Sequence, residues 1–139
     1  MVKKTTIQAI LEGHVCAPGH RLYIVRDGPT VFYVGQSVDP PERVRGHLGL
    51  GELAFGGRDR LGYFIVDNLP EAQAWQVVLY TLEDCQAYLG AWDVDDAEQR
   101  LIDLARPALN VQGNRDPMPI PAKYKQSWNE LIRLREVDG

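Results

Sequence analysis

Disulfides, long apolar runs and an excess of positive charge are all missing from this chain. Only two cysteines, Cys16 and Cys85, occur in 139 residues, too few for the disulfide framework that holds small secreted domains together. Histidines number three, and although His14 and His20 flank Cys16, they lack the paired ligand spacing of a zinc site. No apolar run nears the roughly 20 residues of a membrane span. The start, MVKKTTIQAILEG, has lysines and a short apolar run but no clear cleavage site. A cytoplasmic protein with reduced thiols and no membrane partner is expected. Internal repeats and low-complexity segments are also missing, and no second domain is expected.

Net charge is −4 and the sequence pI about 5.3. That balance argues against a general electrostatic grip on nucleic acid, which comes from lysines and arginines neutralising phosphates. The charges are unevenly spread, however. Arg43, Arg45, Arg58 and Arg60 fall in the first half, whereas Glu83, Asp84, Asp93, Asp95, Asp96, Glu98 and Asp103 crowd a later stretch. Hydrophobic residues make up 45% and charged residues 24%, as in ordinary globular domains, and this length suits one core.

Hydrophobic patterning then places the elements. Thr6 to Leu11 is weakly helical and reads as a lead-in, followed by a loop through Pro18 and Gly19. Leu22–Val25 and Val31–Val34 are β-branched and aromatic runs joined through Asp27-Gly28, a strong hairpin signal. Asp39 with Pro40 predicts a helix start, with Glu42 as capping-box acid, Val44 and Leu48 as its apolar face, and Gly49 and Gly51 as its stop. LGYFIVDNLP fits a helix with Leu61, Ile65 and Leu69 on one side, although YFIV alone resembles a buried strand; the helix is favoured. WQVVLY, residues 75 to 80, reads as a strand with Trp75, Val77 and Leu79 on one face.

Two capped helices follow. Thr81 with Asp84 opens one over Leu82–Leu89 that Gly90 ends. Asp95 with Glu98 opens another, whose stripe is Ala97, Leu101, Ile102 and Ala105 before Pro107 breaks it. Pro107 to Pro121 reads as a loop, and Lys123 to Val137 as a last amphipathic helix with Tyr124, Trp128, Leu131 and Ile132 turned inward.

Phosphodiester hydrolysis needs a base to activate water, a cation to neutralise the leaving oxygen and a donor for the charge that develops on the phosphoryl group. Arg43 and His47, at i and i+4, project together from one helix, and Tyr23 and Tyr33 lie on the paired strands before it. Glu98 is an oxygen ligand of the kind Mg²⁺ takes, since that ion uses one or two carboxylates and keeps several waters. Glu98 also suits a simpler role as the capping-box acid after Asp95.

The order Tyr23, then Tyr33-Val34-Gly35-Gln36-Ser37, then Arg43 and His47, then Glu98-Gln-Arg-Leu-Ile with Pro107 and Asn110, resembles the GIY-YIG nuclease family. The resemblance runs from about Arg21 to Asn110. It departs from the family motif where Arg21-Leu22-Tyr23 replaces Gly-Ile-Tyr. It implies an α/β domain of the α+β type: a three-stranded antiparallel sheet flanked by helices, in the order β-β-α-β-α, here with an added C-terminal helix. Residues 1–20 would be the lead-in, 21–112 the nuclease-like domain, and 113–139 a Pro-rich loop and helix packed on it.

By the same resemblance, one of the two tyrosines serves as general base, Tyr23 being the better candidate, Tyr33 helps to position the water, Arg43 holds the scissile phosphate, His47 relays or orients protons, Glu98 anchors Mg²⁺ (or Mn²⁺), and Asn110 braces the site. Gly35, Gln36, Ser37 and Arg45 are the expected substrate contacts. DNA is the expected substrate, cut by a metal-dependent endonuclease, with a partner protein or oligomer supplying specificity. A binding module that keeps the fold without useful cutting is the alternative.

Overall fold

The computed structural model describes residues 1–50 and 58–127. Its centre is an antiparallel sheet of four strands: β1 (Lys3–Thr6), β2 (His20–Asp27), β3 (Thr30–Gln36) and β4 (Gln76–Thr81). Their order across the sheet is β1-β4-β2-β3. Helices α1 (Ile7–Leu11), α2 (Pro40–His47), α3 (Arg60–Asp67), α4 (Leu82–Leu89) and α5 (Val94–Ala105) flank it, and a 3₁₀ turn spans Glu71–Ala74. Among the described residues no helix is long and apolar enough to cross a membrane.

The expected three-stranded sheet therefore has a fourth strand, and the segment expected as a lead-in supplies it. β1 pairs with β4 through Lys3↔Leu79 to Thr6↔Gln76. Lys3-Lys4-Thr5-Thr6 shows no apolar alternation because this is an edge strand, and charged side chains on an edge discourage pairing with other chains. Thr6 then caps α1, its side chain accepting from the Ala9 N–H at 3.2 Å.

Both faces of the sheet are covered. On one, Tyr23, Val25, Val77 and Leu79 pack with α1, α2 and α3; on the other, Leu22, Ile24, Val34 and Val78 pack with Cys85, Ala97, Leu101 and Ile102. Alternation along β2 and β4 produces this division. β3 breaks it: Val25 pairs with Tyr33 but Arg26 with Val31, leaving Phe32 as an extra bulged residue. Phe32 and Tyr33 consequently both belong to the first face. Phe32 centres an aromatic cluster there, with ring centroids 4.5 Å from Trp75, 4.9 Å from Phe64 and 5.0 Å from Tyr124. Burying each such ring contributes a few kcal/mol by the usual area rule.

Most local signals hold. Gly28 turns the hairpin at φ +56°, Thr81 and Asp84 form a full capping box, and Gly90 ends α4 at φ +66°. Asp39 caps α2 through the Glu42 N–H, but its own N–H bonds Ser37 Oγ at 3.0 Å, so Glu42 does not close a capping box. Gly49 lies beyond the end of α2 at φ +78°, whereas Gly51 lies outside the described residues. LGYFIVDNLP is helical to Asp67, with Leu61 and Ile65 buried and Leu69 beyond the helix end and exposed.

Two expected helix ends move. α5 begins at Val94, capped by Asp93, whose side chain accepts from the Asp96 N–H at 2.8 Å; Asp95 is inside the helix and not its cap. Lys123–Gln126 is turn and irregular chain, not helix, anchored by Tyr124, whose hydroxyl donates to Asp27 at 2.6 Å. The rest of the expected C-terminal helix, with Trp128, Leu131 and Ile132, lies outside the described residues.

Candidate active site

Tyr23 is the buried centre of the expected site, 1% exposed. It pairs with Gly35 across β2 and β3, and its ring lies over that glycine, where no side chain fits. From α2, His47 reaches the same point: its Nε2 is 2.7 Å from the Tyr23 hydroxyl. Tyr33 completes the group, its ring centroid 6.0 Å from that of Tyr23 and 5.1 Å from that of His47. The hairpin register and the bulge at Phe32 thus bring both tyrosines and the histidine onto one face.

Asp59 joins them and was not anticipated. One carboxylate oxygen caps α3, accepting from the Gly62 N–H at 3.0 Å, and the other accepts from His47 Nδ1. Helix α3 can bring it there because Gly62 lacks a side chain: a Cβ would lie 1.7 Å from the His47 carbonyl oxygen. The sequence signal was the ordinary one for a helix cap, an aspartate three residues before Gly62, and carried no hint of a histidine partner.

Burial sets the electrostatics. It raises the Tyr23 hydroxyl well above the ordinary phenol range, and the neighbouring Tyr33 and Asp59 push the same way, while Arg43 favours the phenolate. Tyr33 is raised for the same first reason, then by Asp59, against Arg43, with Glu98 adding to the rise. For Asp59 burial alone would raise the carboxyl; the hydrogen bond and charge of His47, the Gly62 N–H and Arg43 outweigh it and hold the group below its usual range.

Glu98 approaches from α5. With Asp93 as the cap, Glu98 sits beyond the first turn and has no capping role. Burial raises its carboxyl, a hydrogen bond from Gln36 lowers it, and the like charge of Asp95 raises it again. A half-buried carboxylate beside a second one is a place where a cation is favourable, and Mg²⁺ accepts one or two carboxylates plus water. Among the described residues no three His, Cys, Asp or Glu side chains gather as an all-protein metal cage.

The remaining expected residues divide by what they touch. Asn110 clamps β3: its Oδ1 accepts from the Val34 N–H and its Nδ2 donates to the Val34 carbonyl, each at 2.9 Å. Gln36 donates to Asp95 at 2.7 Å, tying β3 to α5. Ser37 supports the turn into α2, and its N–H donates to the Arg21 carbonyl at 2.9 Å. Arg45 is engaged elsewhere, donating to the carbonyls of Ile10 and Leu11 at 3.3 and 3.0 Å and so tying α1 to α2. Arg58 likewise donates to the Leu48 carbonyl at 3.1 Å. Arg43, by contrast, is exposed beside the two tyrosines.

Chemically the cluster offers a phenol hydrogen-bonded to an imidazole, a second phenol, an exposed guanidinium and a carboxylate. Comparison with models of protein families, with characterised proteins and with solved structures found no match to this chain.

Proposed function

We propose that this chain is a GIY-YIG-type endonuclease that hydrolyses DNA phosphodiester bonds with Mg²⁺, or Mn²⁺ in its place. The observation that carries the proposal is the hydrogen bond between Tyr23 and His47 on the face that Tyr33 and Arg43 also share. The order β2-β3-α2, then β4-α4, agrees with the expected family order once β1, α1, α3 and the 3₁₀ turn are set aside, with α5 as a further helix.

In the proposed reaction a water molecule attacks phosphorus as its proton passes to the Tyr23 oxygen. The proton already on Tyr23 moves to His47 Nε2, so the phenol needs no standing negative charge in its buried setting. Tyr33 orients the water. Arg43 binds the non-bridging phosphate oxygens and stabilises the charge that grows on them. The bond from phosphorus to the leaving sugar oxygen breaks, and that oxygen takes a proton from solvent. Glu98 would hold the divalent ion, which when bound supplies Lewis-acid stabilisation of phosphate oxygens.

A nucleic-acid-binding module of the same fold is the second function considered. It draws on the raised Tyr23 hydroxyl, which does not favour catalysis. Purified protein incubated with plasmid, single-stranded and flap DNA, with Mg²⁺ or with chelator, separates the two. Metal-dependent cutting that Glu98→Ala abolishes is expected; tight binding with no cutting on any substrate would instead favour the module. A partner protein or second copy that supplies specificity would appear as a change of preferred substrate on its addition.

A further inference from the structure

We infer that Asp59 is a positioning residue that holds His47 in the one neutral tautomer able to take the Tyr23 proton. The inference deepens the nuclease proposal and rests on it for the effect on cutting, while its structural part stands independently.

An ionised carboxylate only accepts hydrogen bonds. The ring nitrogen facing Asp59 is Nδ1, so in a neutral ring Nδ1 carries the hydrogen. Nε2 is then left with a lone pair, directed at the Tyr23 hydroxyl 2.7 Å away. The hydrogen bond therefore runs from Tyr23 to His47, the direction that lets the phenol pass its proton on while receiving one from water. In the other tautomer Nε2–H would donate to Tyr23, and His47 could accept nothing from it. Only the attacking water is consumed: one proton moves from water to Tyr23 and one from Tyr23 to His47, whose cation faces the Asp59 carboxylate until it returns that proton to solvent.

Three features make the arrangement more than a chance pair. His47 is only 3% exposed, so water does not compete for its nitrogens. Asp59 is oriented by its second task, since the oxygen that caps Gly62 leaves the other directed at the ring. Gly62 lets α3 close on the His47 backbone, which carries Asp59 into place. Of the other groups facing Tyr23 and His47 among the described residues, Arg43 from α2 is a donor only, and the Tyr33 ring meets His47 edge to face, whereas the hydrogen-bond contact at Nδ1 is with Asp59.

Asp59→Asn tests this with little change of shape. The Gly62 N–H still requires an oxygen, so the amide must turn its NH₂ toward His47, and Nδ1 can then pair only as an acceptor. The proton is forced onto Nε2. Nitrogen-15 NMR of labelled protein reads the tautomer directly: Nδ1–H is expected in the wild type and Nε2–H in Asp59→Asn. Cutting of plasmid DNA with Mg²⁺ should fall on the order of 10³- to 10⁴-fold, as in triads where the same change enforces the wrong tautomer. Asp59→Glu, which keeps an acceptor, should retain Nδ1–H and recover part of the rate.

The same tautomer in wild type and Asp59→Asn would overturn the inference. So would a switched tautomer with the cutting rate within threefold of wild type. Wild-type protein that cuts no DNA would remove the nuclease proposal, and the NMR comparison alone would then decide whether Asp59 directs the Tyr23 proton to His47.

Discussion

Tyr23 and Gly35 occupy one site between them: they are paired across β2 and β3, and a Cβ on Gly35 would stand 2.4 Å from both Cζ and the hydroxyl oxygen of Tyr23. Gly35→Ala must therefore push the phenol off His47. Overpacking of this kind costs about 1–3 kcal/mol, which a urea unfolding curve would register. Cutting should be lost by more than the stability change explains, because the displaced atom is the proposed base. Unchanged unfolding and unchanged cutting would mean that Tyr23 has room to spare, contrary to this geometry.

Gly62 meets backbone instead of a side-chain tip. Its added Cβ would lie 1.7 Å from the His47 carbonyl oxygen, and that oxygen also accepts the Asp59 N–H at 3.1 Å. Relief requires α3 to withdraw from α2. Gly62→Ala should then destabilise the fold at or beyond the upper end of the roughly 1–3 kcal/mol usual for overpacking, more than Gly35→Ala. The opposite ranking in paired unfolding measurements would refute the packing argument.

Charge in the arginine-rich stretch does not translate simply into substrate binding. Arg43 is exposed beside the tyrosines, whereas Arg45 spends its guanidinium on the α1 carbonyls. Arg43→Ala is expected to slow cutting by about 10² to 10³, as for comparable electrostatic donors, with little loss of stability. Arg45→Ala should do the reverse, lowering stability by about 1 kcal/mol through its lost hydrogen bonds while changing cutting less than threefold. A loss under threefold for Arg43→Ala would count against its phosphate role.

Legibility in the sequence followed how local the physics was. Tyr23 and Tyr33 could be placed because Asp27-Gly28 declares a hairpin, and α2 because Asp39-Pro40 declares a start. β1 could not, since Lys3-Lys4-Thr5-Thr6 becomes a strand only when the edge of β4 is there to pair with it. The start of α5 was misplaced because Asp93, Asp95 and Asp96 are all competent caps, and the choice of Asp93 rests on which N–H each carboxylate reaches in three dimensions. That choice removed the capping explanation for Glu98. Asp59 was invisible for a similar reason: its cap is local, but its bond to His47 depends on α3 folding against α2. Asn110 was expected as a brace only by resemblance; the two hydrogen bonds to Val34 supply the physical account.

Acid should expose the Asp59–His47 pair through stability alone, whatever the substrate. The Asp59 carboxyl is held below its usual range in the folded chain, burial being outweighed by His47, the Gly62 N–H and Arg43. A folded value below the unfolded one, about 3.9 for aspartate, means that the unfolded chain binds the proton first. The contribution is therefore fully present above that unfolded value and is lost as pH falls through the folded one. Asp84 and Asp96 are lowered as well and add to the acid loss in both proteins. Asp59→Asn has no carboxyl to protonate there, so the wild-type advantage in urea midpoint at pH 7 should narrow steadily below about pH 4. The amplitude should be modest, because the Asp59 side chain is 48% exposed and water screens the pair. An advantage that stays constant from pH 7 down to complete acid unfolding would show that the pair contributes packing and capping but no charge, and would leave the tautomer of His47 without its carboxylate anchor.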